Sequence, residues 1–148
     1  MPQGSTKGCT KIAVGCSMKY RDKAKEVFKE IQGLGLTPLF PNLHHTNDRV
    51  DTAETSEQKR RFAEDHYRAI DEAEICYWIT IGGRLGTSCI LELGYALAKK
   101  KPVYFSEPTN DFTLDCYVKE FISVDKLERF TKIIPSEKIK QKTGDREG

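Results

Sequence analysis

The chain has 148 residues, of which 38% are hydrophobic and 31% charged, with a formal net charge of +2. That length makes one domain, which buries roughly two-thirds of its unfolded surface without metals or disulfides. No apolar run approaches the ~18 residues of a membrane-spanning helix, and a near-neutral charge with bases interleaved among acids argues against a nucleic-acid polymer as partner.

Residues 1–10 read as a flexible N-terminus without the apolar core of a secretory signal, so the expected address is cytoplasmic. Lys11-Ile-Ala-Val-Gly-Cys-Ser17 is a short apolar run ending in small residues, the pattern of a buried parallel strand. A helix follows: Ala24, Val27, Phe28, Ile31 and Leu34 recur on one face, charged residues fill the other, and Gly33 and Gly35 supply the stop. Leu36 to Phe40 reads as a second strand, and the polar stretch from Asn42 to Asp51 as a loop able to face a substrate.

From Thr55 to Ala73 the pattern is helical again, with Phe62, His66, Ala69, Ile70 and Ala73 on one face, so His66 points inward. Ile75-Cys-Tyr-Trp-Ile-Thr-Ile81 is apolar on both faces, as a central parallel strand must be. In it, Trp78 reads as core rather than as a platform for stacking a base. Gly82 to Ser88 is a glycine-rich turn into the apolar helix Cys89 to Lys100, and Val103 to Ser106 is the next strand. Phe121 to Val124 reads as a last short strand and Leu127 to Ile134 as a short helix. Residues 135–148 read as a flexible charged tail after an expected single domain spanning 11–134.

Strands alternating with helices over short connections predict a Rossmann-like or flavodoxin-like α/β domain, a parallel sheet of about five strands with helices on both faces. In such sheets ligands bind at the carboxyl ends of the strands. Three loops reach that end: Gly15 to Lys19, Asn42 to Asp51, and Gly82 to Ser88. The five cysteines have no C-x-x-C pair and read as free thiols, and the three histidines give no metal-ligand spacing, so neither a metal nor an organic cofactor is expected.

Glu92 is the only carboxylate between Glu74 and Glu107, on a helix otherwise built from Ile90, Leu91, Leu93, Tyr95, Ala96, Leu97 and Ala98. Two readings are open. An acid in apolar surroundings loses water and becomes reactive, or it marks the solvent stripe of an amphipathic helix.

The segment Gly86-Thr-Ser-Cys-Ile-Leu-Glu-Leu-Gly-Tyr-Ala96, with Lys101-Pro-Val103, resembles the glutamate motif of nucleoside 2-deoxyribosyltransferases and the related nucleotide N-glycosidases. The likeness spans roughly residues 11 to 106, including Leu39-Phe-Pro-Asn42. It implies cleavage or transfer at the N-glycosidic bond of a nucleoside or nucleoside 5′-monophosphate, with Glu92 attacking the anomeric carbon. Family members carry an aspartate seven residues before the alanine that opens the central strand; His66 stands in that slot, as general acid or as a hydrogen-bonded core histidine. Two further positions depart from the family pattern: Gly86 stands where a second aspartate is found, and Ala73-Glu74 replaces Ala-Asp.

Gly15-Cys-Ser17 with Lys19 is similar to the elements that hold a 5′-phosphate in the nucleotide-hydrolysing branch, and Thr87 and Ser88 at the helix start would complete that cradle. Lys19 also fits an ordinary solvated lysine. Asn42 joins the substrate-binding set through its loop. The resemblance further implies a homodimer or larger homo-oligomer. Cys89-Ile-Leu-Glu-Leu93 also resembles the C-x-x-E-L element of TIR-type NAD glycohydrolases. A non-catalytic nucleotide-binding sensor is the reading from a different functional class.

Overall fold

The computed structural model describes residues 10–39 and 55–132. Expectations placed on 1–9, on Asn42 and its loop, and on the tail from 133 lie outside the described residues. Five parallel strands form one sheet: β1 (Lys11–Cys16), β2 (Thr37–Leu39), β3 (Ile75–Ile79), β4 (Val103–Phe105) and β5 (Glu120–Phe121). Their order is β2-β1-β3-β4-β5, the flavodoxin-like order. Four helices connect them: α1 (Arg21–Gly33), α2 (Ser56–Glu72), α3 (Thr87–Ala98) and the single-turn α4 (Phe112–Asp115).

The alternation of the strands sorts the core into two layers. Ile12, Val14 and Cys16 of β1, Tyr77 and Ile79 of β3, and Tyr104 of β4 meet Ala24, Val27 and Ile31 of α1, with Leu127 and Phe130 closing the layer. On the opposite face Ala13, Cys76, Trp78, Val103 and Phe105 meet Ile70 and Ala73 at the end of α2 and Cys89, Leu93 and Ala96 of α3. The expected two-sided packing of a parallel sheet is thus present, because every residue of β3 is buried.

Local chemistry sets the ends of the elements. Thr55 caps α2 by accepting the Gln58 N–H at 3.1 Å, and Lys101 Nζ donates to the carbonyls of Asp71 and Ala73 at the other end. Glu74 accepts the Lys11 N–H and so ties the start of β1 to the approach to β3. Two expectations are corrected. The segment after β5 is a 3-10 helix over Val124–Lys132, beginning three residues before the predicted helix. The last strand is only the pair Glu120–Phe121, one residue earlier than its apolar run suggested. Ile122, next in the run, instead buries its side chain with Leu127 and Phe130, and its carbonyl accepts the Tyr77 hydroxyl at 2.9 Å.

Burial pushes the thiols of Cys16 and Cys76 from 9.0 up to about 12 and raises that of Cys89 as well, where the neighbouring Glu92 charge adds to the effect. Cys116 is exposed. An alkylating reagent at pH 8 is therefore expected to label Cys116 in the native protein and to reach Cys16, Cys76 and Cys89 only after unfolding, as read by peptide mass spectrometry. The raised values also set a pH window. Above 9 the unfolded chain releases protons that the fold retains, so stability falls as pH rises from 9 toward 12, by up to about 1.4 kcal/mol per pH unit for each of Cys16 and Cys76. Urea midpoints across pH 8 to 11 measure this slope, and a flat profile contradicts the burial.

Candidate active site

The strand order reverses between β1 and β3, which opens a crevice at their carboxyl ends. β1 delivers Gly15, Cys16 and Ser17 to that edge, and the turn after β3 leads through Gly82 and Gly83 to Gly86, the residue that precedes α3. These two loops adjoin: a Cβ on Gly86 would lie 3.8 Å from Ser17 Oγ. The Gly86 carbonyl accepts the Ile90 N–H, and no side chain caps the helix start, so its first-turn N–H groups face the Ser17 loop with the positive end of the helix dipole. Thr87 is exposed there and Ser88 half-buried.

Lys19 has an exposed side chain whose Nζ lies over the Tyr20 ring, 5.8 Å from its centroid. Its N–H donates to Ser17 Oγ at 3.3 Å and orders the tight turn that follows β1. Gly15 is a different kind of residue from its neighbours. It pairs with Trp78 across the β1–β3 ladder, and a Cβ added to it would stand 2.3 Å from Trp78 Nε1. The indole occupies the space that glycine leaves, and Trp78 is 1% exposed, a core residue as its strand position predicts.

Glu92 is buried. Cys89, Glu92, Leu93 and Ala96 form the inward face of α3, while Ile90 and Leu91 lie outward, so the solvent-stripe reading of Glu92 is excluded. On α2, His66 lies on the buried face with Ala69 and Ile70. The two meet: His66 Nδ1 is 3.2 Å from Glu92 Oε2, with side chains 3% and 8% exposed. A carboxylate held against an imidazole and screened from water has fixed orientation and a strengthened local field. Beside this pair the Tyr67 and Tyr95 rings stack at 4.6 Å, and the Tyr95 hydroxyl donates to Asp71 at 2.8 Å. That seam locks α2 to α3 and fixes the distance between imidazole and carboxylate.

A third feature escaped sequence reasoning. Thr80, fully buried, donates its hydroxyl to the Glu107 carbonyl at 2.7 Å, while the Glu107 N–H donates back to Thr80 Oγ1 at 2.9 Å. The Thr80 N–H donates to Ser106 Oγ, and the Gly82 N–H to Glu107 Oε1. The loops after β3 and β4 are thereby laced together around Gly82 and Gly83, whose φ of 64° and 76° favour glycine. Two hydroxyls and an acid 26 and 27 residues apart leave no local pattern to read.

Among the described residues no cluster of three or more His, Cys, Asp or Glu can hold a metal ion, and no helix is long and apolar enough to cross a membrane. No protein-family model matches the sequence, and no curated protein is significantly similar to it. Solved structures are. The 2-deoxyribosyltransferase of the psychrotolerant bacterium Bacillus psychrosaccharolyticus superposes with a TM-score of 0.56 at 20% identity, over 80% of this chain and 90% of that one. A conserved protein from Enterococcus faecalis V583 superposes with a TM-score of 0.58 at 11% identity, over 84% and 98%. With its five-stranded parallel sheet, its helices on both faces and this extent of superposition, the chain has the 2-deoxyribosyltransferase-like fold.

Proposed function

We propose that this protein cleaves or exchanges the N-glycosidic bond of a nucleoside or nucleoside 5′-monophosphate, with Glu92 as nucleophile. The observation that carries the proposal is the buried contact of Glu92 with His66, on a helix that starts at the crevice mouth. One carboxylate oxygen, held by the imidazole, leaves the other to attack C1′. The C1′–N bond breaks, its electron pair leaves with the base, and His66 as general acid supplies the proton that the base takes up. Water, giving a proton to the now-neutral His66, attacks the glycosyl ester at C1′, and the ester C–O bond breaks to return free sugar and the Glu92 carboxylate with net retention; a second base that gives its N–H proton to His66 in place of water gives exchange.

Ser17, Lys19, Gly86, Thr87 and Ser88 are assigned to substrate binding, with Gly15, whose open side is filled by the Trp78 indole, contributing only through its backbone. Ser17 and the uncapped start of α3 form the adjoining walls where a 5′-phosphate would accept backbone N–H groups. Asn42 completes the proposed set from its own loop. The reaction needs no resident metal or organic cofactor, since the nucleophile and proton donor are both side chains.

The test is release of free base, followed by chromatography, from a panel of deoxynucleosides, deoxynucleoside monophosphates and NAD. Release from nucleosides or nucleotides is expected; release from NAD alone would move the assignment to the TIR-type chemistry, and binding without turnover would make the protein a sensor. Lys19→Ala is expected to raise KM for nucleotides several-fold more than for nucleosides with kcat unchanged, and equal effects on both would remove the lysine from phosphate binding.

A further inference from the structure

The inward face of α2 changes character along its length. Phe62, His66 and Ile70 follow one another on that face, one helical turn apart. Ile70 lies in the apolar layer with Ala13 and Cys76, and His66, a turn nearer the helix start, is buried against Glu92. Phe62, a further turn on, is only half-buried. A large aromatic that continues an inward face is ordinarily covered by the core. Here the packed layer ends below it, and its ring stands in the wall of the crevice, about 6 Å beyond the imidazole along the helix axis.

Two observations fix what that wall faces. α2 and α3 run in step from the crevice inward: His66 lies beside Glu92, and Asp71 beside Tyr95 and Lys99. The turn of α2 before His66 therefore runs alongside the turn of α3 before Glu92, which puts Phe62 at the level of Ser88. Lys59, one turn nearer the start of α2, reaches the same end of α3, since the Cys89 thiol, raised above all by burial, is drawn back in part by the Lys59 charge.

The reaction proposed above supplies the ligand. If His66 protonates the departing nitrogen, that nitrogen lies at the imidazole, and the ring it belongs to extends from C1′ toward the mouth of the crevice, past the next residue on this face. That residue is Phe62. A nucleobase offers a flat π face, and a phenyl ring beside it stacks. A nicotinamide ring, cationic in its glycoside, departs neutral and takes no proton, so an acid at His66 suits a base that is uncharged in the substrate.

We infer that Phe62 is the wall against which the nucleobase stacks, and that the leaving group is an uncharged aromatic base held by its flat face. The inference rests on the proposed reaction for where the base lies, while its test reads binding rather than turnover.

Calorimetric titration in a Glu92→Gln background, which keeps the shape of the site and stops turnover, is that test. The probes are adenosine, deoxyadenosine, uridine and their 5′-monophosphates, with ribose 5-phosphate as the control that lacks a base. Phe62→Leu is expected to weaken the tightest of the base-bearing probes roughly tenfold or more, to leave ribose 5-phosphate as it was, and to keep the circular dichroism spectrum. Phe62→Tyr, which restores the ring, is expected to bind within about twofold of the parent. In the parent the base-proton resonances should move upfield on binding, as shielding by a stacked phenyl ring requires, and Phe62→Leu should lose that shift. Undiminished affinity in Phe62→Leu, an equal loss in Phe62→Tyr, an equal loss for ribose 5-phosphate, or no binding of any base-bearing probe would each overturn the wall. Base release by the native chain together with undiminished binding by Phe62→Leu would remove Phe62 and keep the reaction; binding that depends on Phe62 without base release would keep the wall and remove the reaction.

Discussion

Glu92→Gln is expected to lower the rate of base release by about a thousandfold or more while the protein stays folded. Removing the nucleophile forfeits the covalent route, and a neutral amide supplies no comparable charge under the developing cation at C1′. Structure favours this substitution over others. Gln keeps the length and shape of a side chain that is 6% exposed, and its carbonyl oxygen can still accept from the imidazole 3.2 Å away. Thermal unfolding should therefore move little. Glu92→Leu is the useful contrast: it leaves the buried His66 without its carboxylate, and breaking such a pair costs about 3 kcal/mol or more. A carboxylate serving only to satisfy His66 would show the stability loss of the Leu variant but undiminished turnover in the Gln variant. Comparing kcat with the unfolding midpoint for both proteins separates the two roles.

Gly15→Ala is expected to be the most damaging single-methyl change in the sheet, destabilising by about 3 kcal/mol. The new Cβ would lie 2.3, 2.5 and 3.0 Å from Nε1, Cδ1 and Cε2 of Trp78. That ring is held edge-on against Phe105 at 6.3 Å and is 1% exposed, so it has no free volume into which to retreat. β1 itself is paired on both sides, to β2 and β3, and yields as little. Out of a typical total of 5–15 kcal/mol this is a large fraction. Denaturant titration of Gly15→Ala alone and in a Trp78→Ala background tests the cause. In that background the methyl should cost less than about 1 kcal/mol, because the coupling between contacting sites is lost. An equal cost in both backgrounds would place the strain elsewhere. The Trp78 indole N–H is also buried without an acceptor among the described residues, so Gly15 accommodates a side chain that packs well and bonds poorly.

The fold was legible because buried parallel strands read as unbroken apolar runs. β1 and β3 appear at their expected places, trimmed by one or two residues where the chain turns at the crevice. Propensity was blind at the far edge, where β5 has two exposed residues and Ile122 and Leu127 take their positions from tertiary contacts rather than from a local period. At the site, inward-facing periodicity placed His66, and an isolated acid drew attention to Glu92, but their meeting depends on how far apart α2 and α3 lie. That spacing is set by Tyr67, Tyr95 and Asp71. The orientation of α3 was the ambiguous step. A helix apolar on nearly every side does not announce which face is buried, and only the packing of Cys89, Leu93 and Ala96 turns Glu92 inward and leaves Leu91 outside.

The central claim is a covalent bond between Glu92 and a sugar. It is tested most directly by mixing the protein with a deoxynucleoside or deoxynucleotide whose glycosyl ester hydrolyses slowly, quenching in acid and digesting for mass spectrometry. The account predicts that the peptide containing Glu92 gains the mass of the sugar residue and that Glu92→Gln gains nothing. Base release with no adduct on that peptide, or with an adduct on another residue, would contradict it.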